Sequence, residues 1–475
     1  MITSTLLVCA IILFLIGVWN RNFARKNSPP GPFKWPIVGN FLMMKGKAPH
    51  LFAKDLYLKY GPVVRIQIGD CSSVFLTEYD TIKEAFVDKP EIFAPRFPRA
   101  SREKAFRGMS IIATSGEFHK KARGIASSHI TQSRFKKLEE DISHEIELLC
   151  DALKETSNGG TLIDPHKYIK SCALNIIFKF LFGKSIRCDY GDNSTNQLVV
   201  EINQVVQIAA RPFLQDFFPY LTKLLDGRPK VFFERFESLH EYTMSIVNER
   251  LKVYDGSTEP TDLLEEYIVR YKKGEIELDA IGFIMIDLIL AGTDTSANTI
   301  LFTISALCDN PDIQEKLFSE LNGVIGDRLP HMTDKSALPY TNAVIKESLR
   351  RFSVAPLGLT HVATEDTEIR GYTIRKGDQI IQNLYATGLS PKEWNNPEEY
   401  DPSRFLNNDS TKYKTVFGCG PRVCLGMSLA ESELFLIIST IFKTFKFKSD
   451  KRIGTDTIFG VTLSPVAYQV SVDTR

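Results

Sequence analysis

Between Asp279 and Asn310 the chain runs apolar with few breaks, and Pro311 ends the run. As a helix this segment is about 30 residues and about 45 Å long, with Asp279 as its expected N-cap. Ile281, Phe283, Ile284, Met285, Ile286, Leu288, Ile289 and Leu290 cover nearly every face. A helix apolar all round is a buried helix. Charge interrupts it too often for a bilayer span, so it is expected to cross the protein core. Enclosing such a rod needs a large apolar interior. The 475 residues include 32 phenylalanines and are 43% hydrophobic, which suits one. Length alone suggests about three domains. No internal repeat, long charge block or Pro/Ser-rich linker beyond the first thirty-odd residues divides the chain, so one large core is the simpler reading.

Midway along this helix lies Ala291-Gly292-Thr293-Asp294-Thr295-Ser296. Polarity inside a buried helix needs a reason. Gly292 weakens the helix by about 1 kcal/mol relative to Ala. The hydroxyls of Thr293, Thr295 and Ser296 compete for backbone carbonyls and are expected to bend the helix, opening a groove for a diatomic and a water. Asp287, one turn earlier, either meets a basic substrate or is satisfied by backbone N–H groups of a neighbouring loop. Because buried acids need partners, the second reading is preferred.

Eight cysteines are scattered at 9, 71, 150, 172, 188, 308, 419 and 424. No C-x-x-C pair or zinc spacing occurs, which points to a reducing compartment, and no C-x-x-C-H permits covalent c-type haem attachment. Cys424 differs from the others. It sits in Phe417-Gly418-Cys419-Gly420-Pro421-Arg422-Val423-Cys424-Leu425-Gly426, ahead of an apolar run, Met427 to Ile438, with helical spacing. A thiolate so placed can be an axial ligand of haem iron. Glycines admit a flat macrocycle, freed N–H groups tune the sulfur, and Arg422 is a cation for a haem propionate. Cys419 is read as a small packed residue.

The pattern F-x-x-G-x-R-x-C-x-G resembles the haem-ligand signature of the cytochrome P-450 family. The run Ala291 to Ser296 resembles that family's oxygen-activation motif at every position, which implies that Thr295 hydrogen-bonds bound oxygen while Asp294 relays protons. Glu347 and Arg350, three apart on a helical pattern from Thr341 to Phe352, resemble its E-x-x-R. With Arg404 they would form a buried triad that fixes the meander before Cys424. Arg123 matches the family's W-x-x-x-R, but His119 stands where Trp is usual. His361 occupies a propionate-binding place in some members; a strand-face histidine is the equal alternative. Arg96 to Met109 matches nothing in the family.

Val63 to Leu76 reads as two strands about a turn at Gly69-Asp70, Thr131 to Leu251 as mainly helix, Thr367 to Ala386 as strand-rich, and Ile458 to Val472 as a closing hairpin broken at Pro465. The fold class is therefore mainly α with minor β. The resemblance supplies the cytochrome P-450 fold, with haem between the long helix and the Cys424 loop.

Ile2 to Trp19 is an uncharged stretch of about 27 Å as a helix, followed by Arg21, Arg25, Lys26 and Pro29-Pro30-Gly31-Pro32. A cleaved signal peptide carries its charge first, so a retained single-pass anchor is preferred, with the rest cytosolic. The expected organisation is an anchor over 1–27, a proline-rich hinge over 28–40 and one catalytic haem domain over 41–475. Endoplasmic reticulum is the default membrane. Net charge is +1, so there is no nucleic-acid footprint.

The resemblance implies a monooxygenase that binds haem b and inserts one atom of O2 into an apolar organic substrate. The chain has no nucleotide-binding G-x-G-x-x-G or flavin motif. NADPH and flavin would act through a separate partner, NADPH–cytochrome P-450 reductase, with cytochrome b5 as an accessory donor. Lys120, Lys121, Arg134, Lys136 and Lys137 form a candidate docking patch, though each alone reads as solvated charge. Ile286, Asp287, Leu290, Ala355, Leu357, Leu359 and Val461 are expected pocket walls. The alternatives are a haem-thiolate isomerase or dehydratase, a non-catalytic haem sensor, and a membrane-tethered interaction protein without haem. Asp294 and Thr295 argue against the first two and the Cys424 loop against the third.

Overall fold

A computed structural model describes residues 27–129, 132–157, 161–185, 202, 204–206, 208, 213–218, 228–406 and 410–475. The expected N-terminal anchor, with Trp19, Arg21, Arg25 and Lys26, lies outside them, as do Cys9, Cys188 and the side chains of Arg134 and Lys136. The long apolar run is a helix over Leu278–Asp309, 32 residues, with Ile281, Phe283, Ile284, Met285, Ile286 and Ile289 fully buried. Its N-cap is Glu277 without a side-chain bond, so the expected cap at Asp279 instead falls in the first turn. Among the described residues this is the single helix long and apolar enough to cross a membrane, and 72% of that window is buried within the protein. It is the central rod of the core.

Neighbouring helices pack against it closely because glycine lets them. A Cβ on Gly292 would meet Ile177 of the helix Pro165–Phe182 at 2.7 Å, and one on Gly282 would meet Met244 of the helix Arg228–Val253 at 2.7 Å. Gly292 therefore serves helix crossing, and the helix runs unbroken through it. Each large apolar side chain enclosed here contributes about 1.5–3 kcal/mol.

A four-stranded sheet stands beside the helices in the order Val63–Ile68, Cys71–Leu76, Gln379–Gln382, His361–Val362. The first two strands form the expected hairpin, with Val63 opposite Leu76. The third joins in parallel, Phe75 beside Ile381, so it ties two distant parts of the chain together. The strand-rich patch ends at Gln382; Leu384–Gly388 is helical. The last segment also divides: Thr457–Phe459 and Leu463–Pro465 form the hairpin, while Ser471–Thr474 pairs with Phe445–Lys448. Pro465 explains the division, because it cannot donate to a continuing ladder. The proline-rich segment lies along the sheet, where Arg65 N–H donates to the carbonyl of Pro30 at 2.9 Å.

Glu347 and Arg350 sit on the helix Pro339–Phe352, both fully buried. The Glu347 carboxylate accepts two bonds from Arg350, both at 2.7 Å. It accepts a third from the Asp401 backbone N–H at 2.8 Å and a fourth from Arg404 at 3.1 Å. Arg350 donates onward to the carbonyls of Gly388, Pro397 and Glu399. The meander is thus held by one saturated ion network. Removing Glu347 leaves a buried cation unpaired, at a cost of about 3–5 kcal/mol. Glu347→Ala is expected to yield protein without haem, read as haem per polypeptide; full haem content in that variant would refute the assignment.

Candidate active site

Cys424 is presented by a loop that the sequence shapes at two glycines. Gly420 has φ +68°, and a Cβ there would lie 1.8 Å from the Phe86 carbonyl oxygen; Gly418 has φ +77°. Left-handed backbone and backbone contact together require glycine at position 420. The Cys424 N–H donates to the Phe417 carbonyl at 2.8 Å and closes the loop. Arg123 Nη2 donates to the Val423 carbonyl at 2.6 Å. Burial raises the Cys424 thiol, while the Gly426 N–H and the Arg123 charge favour its thiolate. Yet Cys424 is an exposed residue, at the head of the otherwise well-buried helix Met427–Thr444. Its sulfur faces open space. Cys419 behaves as expected of a packed thiol, pushed up to about 11 by burial.

The central helix is opened at one place only. Ala291 is exposed and Leu290, Gly292 and Thr295 are half-buried, in a rod otherwise closed from Ala280 to Leu307 apart from Leu288. Thr295 Oγ1 donates to the Ala291 carbonyl at 2.8 Å and Thr293 Oγ1 to that of Ile289 at 2.8 Å. Both hydroxyls therefore back-bond within the helix, as their residue types allow. Asp294 turns the other way, its Oδ1 3.4 Å from Lys170 Nζ. Ser296 donates to Glu433 of the helix after Cys424, joining the two elements. Burial pushes the Glu433 carboxyl up to about 8, against that hydroxyl.

Asp287 resolves toward the loop. Its Oδ2 accepts from Ser110 Oγ at 2.8 Å and from the N–H groups of Ile111 at 2.6 Å and Ile112 at 3.3 Å. Oδ1 is buried without a partner. Asp287 and Ile286 are fully buried and line no open space. Leu290, Ala355, Leu357, Leu359 and Val461 are the expected walls that remain accessible.

The remaining candidates converge with one residue the sequence did not single out. Arg96 bridges the backbone of His361 and its Nη1 lies 2.6 Å from His361 Nε2; it also donates to the Ile112 and Leu359 carbonyls at 3.0 Å. His361 Nδ1 lies 3.2 Å from the Ala94 carbonyl, so its two nitrogens are committed to orienting Arg96. Arg422 donates to the carbonyls of Ala94 at 3.1 Å and Thr114 at 2.8 Å. Burial and the mutual repulsion of Arg96 and Arg422, joined by Arg102 and Arg123, hold Arg96 well below the usual arginine range. His119 is lowered to about 4 by burial and by the same arginines, and its Nε2 is buried without a partner. Among the described residues no acid lies within ion-pair distance of Arg96, Arg123 or Arg422. Buried cations without counterions call for an anionic occupant. An exposed thiol beside such donors fits an iron porphyrin bearing carboxylates, with Cys424 to ligate iron and Arg96, Arg123, Arg422 and His119 to hold the carboxylates. Spacing could not reveal Arg96, Lys170 or Glu433, since each meets its partner across distant sequence.

The sequence model of the cytochrome P-450 family matches residues 29–472. The chain is 35% identical to Probable cytochrome P-450 513D1 of Dictyostelium discoideum, covering 94% of each chain. It is 32% identical to Probable cytochrome P-450 513C1 of the same organism, covering 99% of each. It is 30% identical to the human Cytochrome P-450 2J2, covering 98% of this chain and 95% of that one.

Burial pushes the Asp287 carboxyl up to about 7, against the Ser110 hydroxyl and the two amides. An unfolded Asp titrates near about 4. A carboxyl raised in the folded state contributes stability below the unfolded value and loses it as pH rises through the folded one. Asp287→Asn keeps the three accepted bonds and removes the titration. Its Tm relative to wild type is expected to rise between about pH 5 and 8, by roughly 2 °C or more. Parallel Tm curves for the two proteins would exclude this.

Proposed function

This chain belongs to the cytochrome P-450 family of haem-thiolate monooxygenases, and from that premise we propose that it is a membrane-anchored member acting on an apolar organic substrate with electrons from NADPH. The observation that carries the reading is the Cys424 thiol, exposed to open space beside a cation cluster that has no acid of its own. In this reading residues 1–27 are the anchor, 28–40 the proline-rich segment and 41–475 one catalytic unit facing the cytosol from the endoplasmic reticulum. Phe33, Trp35, Ile37, Leu42 and Met43 are exposed just after that anchor. Contiguous exposed apolar side chains of this kind suit a surface resting on lipid.

Haem b, when bound, supplies the redox chemistry by which substrate C–H, O2, two electrons and two protons become C–OH and water. The protein's residues prepare that chemistry. The Gly426 N–H and the Arg123 cation hold negative charge on Cys424 Sγ. Arg96, Arg422, Arg123 and His119 bind the carboxylates of the cofactor and fix its orientation. His119 stays neutral at physiological pH and acts as an N–H donor. Asp294 exchanges a proton with Lys170 on one side and is followed directly by Thr295 on the other. Rotation of the Thr295 hydroxyl away from the Ala291 carbonyl turns it toward the open stretch of helix, where it delivers that proton. Leu290, Ala355, Leu357, Leu359 and Val461 exclude water around the substrate. Electrons arrive from a separate reductase, with cytochrome b5 as an accessory donor, at a face that includes the exposed Lys120, Lys121 and Lys137.

The carbon monoxide difference spectrum of the reduced holoprotein tests this reading. The red-shifted Soret band of thiolate-ligated haem is expected in wild type and absent in Cys424→Ala. A haem-loaded wild type without that band would overturn the ligand assignment. Asp294→Asn is expected to keep the band and to lower product formation roughly 10²-fold with NADPH and a reductase. Unchanged turnover would remove Asp294 from the proton path.

A further inference from the structure

Two more arginines stand beyond the group gathered at Arg96. Arg99 precedes the helix Ala100–Phe106, and Arg102 follows three residues on. Residues three and four apart share a helix face, so Arg99, Arg102 and Phe106 form one row. Phe106 fixes where that row points: its ring lies 4.7 Å from Phe236 and 6.4 Å from Phe283 of the central helix. The row therefore looks inward, one turn before Ile286.

Neither arginine is paired. Arg99 lies 5.4 Å from the Phe217 ring, and its Nε is buried without a partner. Arg102 makes no hydrogen bond or ion pair among the described residues. The nearest acid is Asp216, which accepts instead from the Ser101 N–H at 3.1 Å and the Ser101 hydroxyl at 2.6 Å. It lowers the local potential without forming an ion pair with either. Burial pulls Arg102 down to about 10, with Arg99 repelling it and Asp216 opposing. Burial lowers Arg99 too, against the attraction of Asp216 and Cys71. Arg96, Arg123 and Arg422 already provide three cations for the two carboxylates of a haem, so Arg99 and Arg102 are in excess.

Resting on the monooxygenase reading above, we propose that Arg99 and Arg102 bind a carboxylate on the substrate, and that the substrate class is amphiphilic acids with a long apolar tail. Two guanidiniums on one face suit a bidentate carboxylate, and their partial enclosure strengthens each bond. The apolar tail continues past Phe106 and Phe283 toward Ala291 and Thr295. From Phe283 those residues are about 12 and 18 Å along the helix. Oxidation then falls on carbons remote from the carboxyl.

The test titrates the purified holoprotein with dodecanoic acid, its methyl ester and dodecan-1-ol, following the spin-state shift of the Soret band. The acid is expected to bind about tenfold or more tighter than the ester and the alcohol. Arg102→Gln and Arg99→Gln should lose that preference while keeping haem content and the carbon monoxide spectrum, and Arg102→Lys should retain part of it. Equal binding of acid and ester, an undiminished preference in both Gln variants, or no shift with any of the three overturns the proposal. Loss of haem from Arg102→Gln also overturns it, by assigning that arginine to the cofactor. A wild type without the thiolate band sinks the monooxygenase reading itself, a result distinct from all of these.

Discussion

A 32-residue helix with apolar side chains on every face leaves its neighbours no freedom over where to lie. They must close over it, and they do so at the glycines that admit contact, Gly282 against Met244 and Gly292 against Ile177. The same enclosure gives the site its meaning. Where the surrounding protein draws back from Ala291, the gap in an otherwise sealed rod is the place where a substrate and oxygen can meet. Polar groups at that level need partners, and the helix supplies them by back-bonding Thr293 and Thr295 and by sending Asp294 to Lys170 and Ser296 to Glu433.

Buried charge is handled in two opposite ways. Around Glu347 every cation has its acid and every remaining donor a carbonyl, so the network is closed and serves the scaffold. Around Arg96 the cations face one another and bond mainly to neutral carbonyls. The closed network is stable by itself. The open one is stable only with an anion among its guanidiniums, and in this way a cofactor becomes part of the fold. His119 and His361 belong to the open network as neutral rings, one with a free nitrogen and one holding Arg96 in place.

Much of this was legible in the chain because it is local. The Cys424 loop owes its shape to glycines at fixed offsets, the E-x-x-R pair to one helix face, and the inner rod to unbroken apolar character. The satisfied state of Asp287 followed from the cost of a buried acid, although only the fold identified Ser110, Ile111 and Ile112 as its partners. Expectations failed where a local pattern was cut by a distant contact. The last strand left its hairpin to pair with Phe445–Lys448, and the proline-rich segment lay down along the sheet.

The sequence by itself determined the family, the thiolate ligand and the mainly helical architecture, because each rests on residue types at short, fixed spacing. Tertiary structure alone decided which charges are paired. Arg96 reaches His361 across 265 residues, and Ser296 meets Glu433 across 137. Whether an arginine is an ordinary surface charge or a cation awaiting a ligand depends on the dielectric around it and the acids within reach. Both are properties of packing, and no run of neighbouring residues carries them.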